Sequence, residues 1–217
     1  MSHHESAARG PDARMVDRML FFSDAVFAIV LTLLVLELRA PEIEPFTEAA
    51  LADALFGMAE HFAAFFITFA LTGLWWSIHM RVTRRLQRFD WLSAIANLVF
   101  LLCIALTPFA SAVFGGAPSS VVALEVYWGV NTAIALAMTT LFLVIHRGKG
   151  KLVGGLARGE WTFRLIQSLA PAIAFATSIY LAQIGQVQLS HFGWALMFPI
   201  MLFGRLFFRP SKAPPAT

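Results

Sequence analysis

Asp24 stands six residues inside a long apolar run, in the order Arg18-Met19-Leu20-Phe21-Phe22-Ser23-Asp24 followed by Ala25-Val26-Phe27-Ala28-Ile29-Val30-Leu31-Thr32-Leu33-Leu34-Val35-Leu36. An ionised carboxylate in such a setting is costly unless it is paired or wet, which makes Asp24 a functional-site candidate. A partner is sought by depth. The second apolar run ends in Trp75-Trp76-Ser77-Ile78-His79-Met80 and returns His79 to the level of Asp24. A charge-assisted hydrogen bond between Asp24 and His79, with Ser23 and Trp76 as further donors, is the expected chemistry. It serves either as a brace between two helices or as a proton relay, and the two readings are compatible. At 100° per residue Asp24 lies roughly 140° around a helix from Ile29, whereas Leu33 and Leu36 fall within roughly 40° of it. One face is then an apolar stripe of Phe22, Val26, Ile29, Leu33 and Leu36, while Asp24 is expected to turn toward the protein interior.

The elements that must position these residues follow from composition. Of 217 residues 59% are apolar and 13% charged, against roughly 45 to 50% and about 25% in soluble domains. With a mean hydropathy of +0.72, the chain carries more apolar surface than one core hides, so the excess must face lipid. An ordinary soluble enzyme and a disordered chain are both excluded. Counting from charge to charge gives six spanning helices at about 18–39, 48–80, 91–113, 121–146, 161–184 and 190–208. The second is too long for the bilayer and is expected to project beyond one face. Residues 1–17 form an N-terminal segment without the apolar core of a signal peptide, 18–209 the membrane domain, and 210–217, with three prolines, a disordered tail.

The net charge of +3 marks topology rather than nucleic-acid binding. Fifteen of the 16 Lys and Arg fall before helix one, between helices two and three, between four and five, or after six; Arg39 is the exception, among Glu42, Glu44 and Glu48. Basic segments stay on the cytoplasmic side, so both termini are expected there. The Gly-rich basic connector 147–160 reads as a topology-setting loop, with contact to anionic headgroups as the second reading. The single Cys103 allows no intrachain disulfide. His3 and His4, adjacent in a terminal segment, read as incidental.

The motif Arg18-x-x-x-Phe22-Ser23-Asp24 resembles the signature of the Transmembrane protein 175 family, the endolysosomal potassium channels and their bacterial homologues. Trp76-x-x-His79, Asn97-Leu98-Val99-Phe100-Leu101 and Pro108-Phe109 are similar to its further landmarks, and the resemblance is sparse over the final three helices. It implies the single-repeat form: a homotetramer in a prokaryotic inner membrane, with a potassium pore lined by helix one. Carried over by position, Ile29, Leu33 and Leu36 form the constriction rings and Thr32 is a candidate for selectivity. Arg18, Phe22, Ser23, Asp24, Trp76, His79 and Asn97 form the network that holds helix one.

Aliphatic rings offer ions no fixed ligands. They close by dewetting when narrow and pass hydrated cations when wide, which implies modest preference for potassium over sodium. No cofactor and no enzymatic activity are expected: His-Glu-x-x-His, Gly-x-Ser-x-Gly and a second carboxylate beside Asp24 are all lacking. The competing reading is a proton-coupled secondary transporter that uses Asp24 and His79, although no internal repeat is evident.

Overall fold

The computed structural model describes residues 11–44, 46–147, 152 and 158–208, and every regular element among them is a helix. The first, α1 (Pro11–Leu33), continues as a 3-10 turn, Leu34–Glu37. It begins earlier than expected because Pro11 opens the helix and Asp12 lies in its first turn, both favourable there. The long second helix is in fact two, α2 (Glu48–Gly57) and α3 (Ala59–Thr83), broken at Met58. The break adjoins Gly57, which holds helical geometry weakly, and α2 has no buried residue to keep it in line.

The third expected span is likewise divided, into α4 (Trp91–Ala105) and α5 (Thr107–Gly116). Pro108 has no N–H for the Ile104 carbonyl, and the Thr107 hydroxyl donates to that carbonyl instead, at 2.8 Å. Then come α6 (Val121–Ile145) and α7 (Arg158–Gln183), which runs through Pro171 without interruption. It stops at Gly185, whose φ of 80° lets the Gln186 N–H reach back to the Leu181 carbonyl at 2.9 Å.

The sixth expected span, 190–208, is made of short pieces: α8 (Val187–Ser190), a 3-10 turn (Gly193–Leu196) and α9 (Met197–Phe208). At 1.5 Å per residue α9 reaches only ~18 Å. Five helical stretches among the described residues are long and apolar enough to cross a membrane, and α9 belongs to a shorter apolar segment. Gly193 sits against Ser178, so close that a Cβ there would lie 2.2 Å from the Ser178 hydroxyl.

α6 is the centre of the bundle, packed on α4, α5 and α7. Trp128 stacks on Phe175 of α7 and Tyr127 on Phe114 of α5. By contrast α1 lies at the side, touching α3, α4 and α5. The expected N-terminal segment is described only from residue 11, and His3, His4, most of the connector 147–160 and the tail 210–217 lie outside the described residues.

Candidate functional site

α1 meets the bundle through one narrow face. Val16, Ser23, Phe27, Val30 and Leu34 are buried, at the three-, four- and seven-residue spacings of a single helical stripe. Ser23 is its polar member. Its hydroxyl donates to the Met19 carbonyl at 2.9 Å and accepts from Asn97 Nδ2 at 3.0 Å. The Asn97 carbonyl oxygen lies 2.9 Å from His79 Nε2. An amide oxygen only accepts, so Nε2 carries the proton and donates. The His79 ring lies parallel to Phe100 with centroids 5.4 Å apart and tilts against Phe27 at 6.0 Å. Ser23, His79 and Asn97 are each at most 1% exposed. Three helices are thereby tied through polar groups that satisfy one another, which burial in an apolar setting requires.

The expected pairing of Asp24 with His79 is not what the structure contains. Asp24 is exposed and accepts from the Trp76 indole N–H at 2.9 Å, while the bond from His79 runs to Asn97. Nor does Asp24 turn inward. The reason is angular: Ser23 occupies the interface, and the next residue is rotated roughly 100° to its edge. Arg18 and Phe22, both exposed, stand outside this network among the described residues.

On the other side of α1, Ile29, Leu33 and Leu36 are 58%, 41% and 65% exposed. Phe27 of the buried stripe lies roughly 160° around the helix from Ile29, so the two stripes are nearly opposite. Thr32 shares the exposed side, and its hydroxyl donates to the Ile29 carbonyl at 2.8 Å, which leaves its oxygen as an acceptor only. Val26 differs from the rest of its expected stripe, being partly buried against the core.

Two further groupings were not foreseen from the sequence. Deep between α3, α5 and α6, Thr68 Oγ1 lies 3.1 Å from both Ser111 Oγ and Tyr127 OH; these residues are too far apart in sequence for spacing to connect them. At the basic end, Arg147 pairs with Asp90, Arg88 approaches Asp12 at 3.8 Å, and the Gln87 N–H donates to the Leu152 carbonyl at 2.8 Å. The start of α1, the α3–α4 linker and the connector after α6 thus meet at one end of the bundle. Asp90 also caps α4, exchanging hydrogen bonds with Ser93. Burial raises its carboxyl pKa, but the Ser93 hydrogen bonds and the Arg147 guanidinium outweigh that and hold it below the usual carboxylate value. The Asp90-x-x-Ser93 pattern ahead of an apolar run was the available signal.

Comparison with known proteins bears on the same segment. Residues 18–108, from α1 into α5, match the family described as "Endosomal/lysosomal potassium channel TMEM175". A protein named potassium channel from Chamaesiphon minutus is 31% identical over 135 residues, 61% of this chain and 66% of that one. Another so named, from Chryseobacterium sp., is 30% identical over 135 residues, 62% of this chain and 67% of its own length. The chain therefore spans about two thirds of the length of each of these two relatives. The crystal structure of a lysosomal potassium-selective channel TMEM175 homologue from Chamaesiphon minutus superposes with a TM-score of 0.73 at 26% identity, covering 91% of this chain and all of that one.

Proposed function

Since the chain belongs to the TMEM175 family, we propose that it is a homotetrameric potassium channel whose pore is lined by the outer stripe of α1. The observation that carries this reading is the division of α1 into a face satisfied within the protomer and an aliphatic face, Ile29, Leu33 and Leu36, that the protomer leaves uncovered. Four copies about an axis cover that face with one another and with water, and each position becomes a ring.

Such rings carry no ion ligands. A narrow one expels water and blocks current; a wider one passes cations with their hydration water, with potassium preferred because it holds that water less tightly than sodium. The preference is modest. Thr32 is the polar contributor beside the rings. Ser23, Asn97, His79 and the Asp24–Trp76 bond touch no ion and instead fix the tilt of α1, which sets the ring diameter. With the basic end of the bundle on the cytoplasmic side, both termini lie there and the channel sits in the inner membrane of a prokaryote.

The test is electrical. Protein reconstituted in planar bilayers is expected to give unitary currents that reverse toward the potassium equilibrium potential under a potassium–sodium gradient, and Ile29→Ser to lower the potassium-to-sodium permeability ratio. An unchanged ratio removes Ile29 from the constriction. Flux that follows a pH gradient without unitary currents replaces the channel by a proton-coupled transporter. Cross-linking in detergent is expected to trap four copies, and a persistent monomer contradicts the shared pore.

A further inference from the structure

In six places a threonine of α3, α6 or α7 turns its hydroxyl back to the carbonyl four residues earlier: Thr68, Thr83, Thr132, Thr139, Thr140 and Thr177. That bond satisfies the hydroxyl within its own helix, which an apolar setting favours. Thr72 is the exception. It is 1% exposed near the middle of the 25-residue α3, and its Oγ1 has no hydrogen-bond partner among the described residues. The same is true of two indole N–H groups, those of Trp75, one turn on along α3, and of Trp128 on α6, which are 3% and 2% exposed.

The three groups belong to one seam. Thr68, Thr72 and Trp75 follow one another along the buried stripe of α3, at three- and four-residue spacings. Thr68 reaches Tyr127, the residue before Trp128, with 3.1 Å between the two hydroxyl oxygens. Trp75 and Trp128 both pack on the ring of Phe175 in α7, with centroids 6.4 and 5.5 Å away. Buried donors left unpaired in such a place are costly, and what joins them is narrowly defined. An indole N–H only donates, so the occupant accepts hydrogen bonds and a cation finds no ligand there. None of Thr68, Thr72, Trp75, Tyr127, Trp128 and Phe175 is charged, so an anion would lie deep in the bundle without a counter-charge from them. A small neutral molecule that both accepts and donates meets these terms.

We infer that this seam between α3 and α6 is a binding site for ordered water, which accepts from the Trp75 and Trp128 indoles and bonds the Thr72 hydroxyl. A buried water typically makes about three hydrogen bonds to groups that the chain leaves unpaired. α3 also carries Trp76 and His79, the partners of Asp24 and Asn97. The water therefore steadies, against the central helix of the bundle, the helix on which α1 leans. The site is independent of what the chain conducts.

X-ray radiolytic footprinting of the full-length protein in detergent, read residue by residue by mass spectrometry, tests the site, because radicals born from a bound water oxidise the side chains that hold it. Trp75 and Trp128 are expected to be oxidised despite their burial. A bulk radical scavenger is expected to suppress oxidation of Trp91, which is 80% exposed, and to spare these two. Either tryptophan left unmodified, or suppressed in step with Trp91, overturns the proposal. Thr72→Val keeps the shape of the side chain and removes the hydroxyl, and it separates a wet seam from a dry one by sign. With water bound, the substitution is expected to lower oxidation of Trp75 and to lower the unfolding midpoint by about 2–4 °C, since it takes away one of the water's partners. In a dry seam it removes a buried unpaired hydroxyl and raises the midpoint. A raised or unchanged midpoint therefore overturns the site. Should the variant fail to fold, the scavenger comparison on the wild-type protein decides alone.

Discussion

The two sides of α1 are built on opposite terms. The inner side, Ser23, Phe27, Val30 and Leu34, is buried to 3% exposure or less, and its polar member, the Ser23 hydroxyl, is bonded to Asn97 of α4 and through it to His79 of α3. The outer side, Ile29, Leu33 and Leu36, is apolar and uncovered in the protomer. Packing within one chain therefore accounts for where α1 sits and says nothing about the residue types on its far face. A change on the inner side is felt by the fold, and a change on the outer side by whatever the helix meets beyond the protomer.

That contrast breaks first if Phe27→Ala is tolerated. Phe27 is 1% exposed between His79 and Phe100, and its truncation is expected to cost about 3 kcal/mol, read as a lower unfolding temperature in detergent. Asn97→Leu comes next, at about 2 kcal/mol, because it strands the His79 N–H in an apolar pocket. Adding His79→Phe to it is expected to recover part of the loss, since removing both partners of a buried bond costs less than removing one. No recovery means the hydrogen bond is not what Asn97 contributes.

A smaller effect is expected at the basic end. The Asp90 pKa is lowered from 3.8, so its contribution is fully present above that ordinary value and is lost as pH falls through the lower folded value. Thermal unfolding compared between wild type and Asp90→Asn is expected to show the difference between the two shrinking only in acid; a constant difference means that the charge is not involved. Smallest of all is Ile29→Ser, within about 0.5 kcal/mol of wild-type stability, even though it alters permeation. A large loss of stability there joins the outer side to the protomer's own core and erases the contrast.

The family, the all-helical membrane fold and most of the spans were legible in the charge gaps and the Arg18-to-Asp24 motif, because both are local. The inward residue was not. Asp24 drew attention as the charged group, yet Ser23, Phe27, Val30 and Leu34 share the interface spacing, and reading that spacing first puts Asp24 at the edge. Helix breaks at Met58 and around Ser190–Leu196 were missed because hydropathy measures length without hinges: an apolar run reads alike whether it is one rod or three pieces turned by Gly193 against Ser178. Thr68, Ser111 and Tyr127 lie on three different helices, and no periodicity joins them.

The order of donors in the α1 network has one more consequence. Each N–H or O–H points the same way, from the imidazole through the carboxamide and the serine to a main-chain oxygen. A carboxamide is a poor conductor of protons, because it has to pass through a high-energy imidic tautomer to hand one on. Asn97 thus insulates the imidazole from the first helix electrically while fastening the two mechanically, and a strut of this kind keeps its shape without leaking acid along its length.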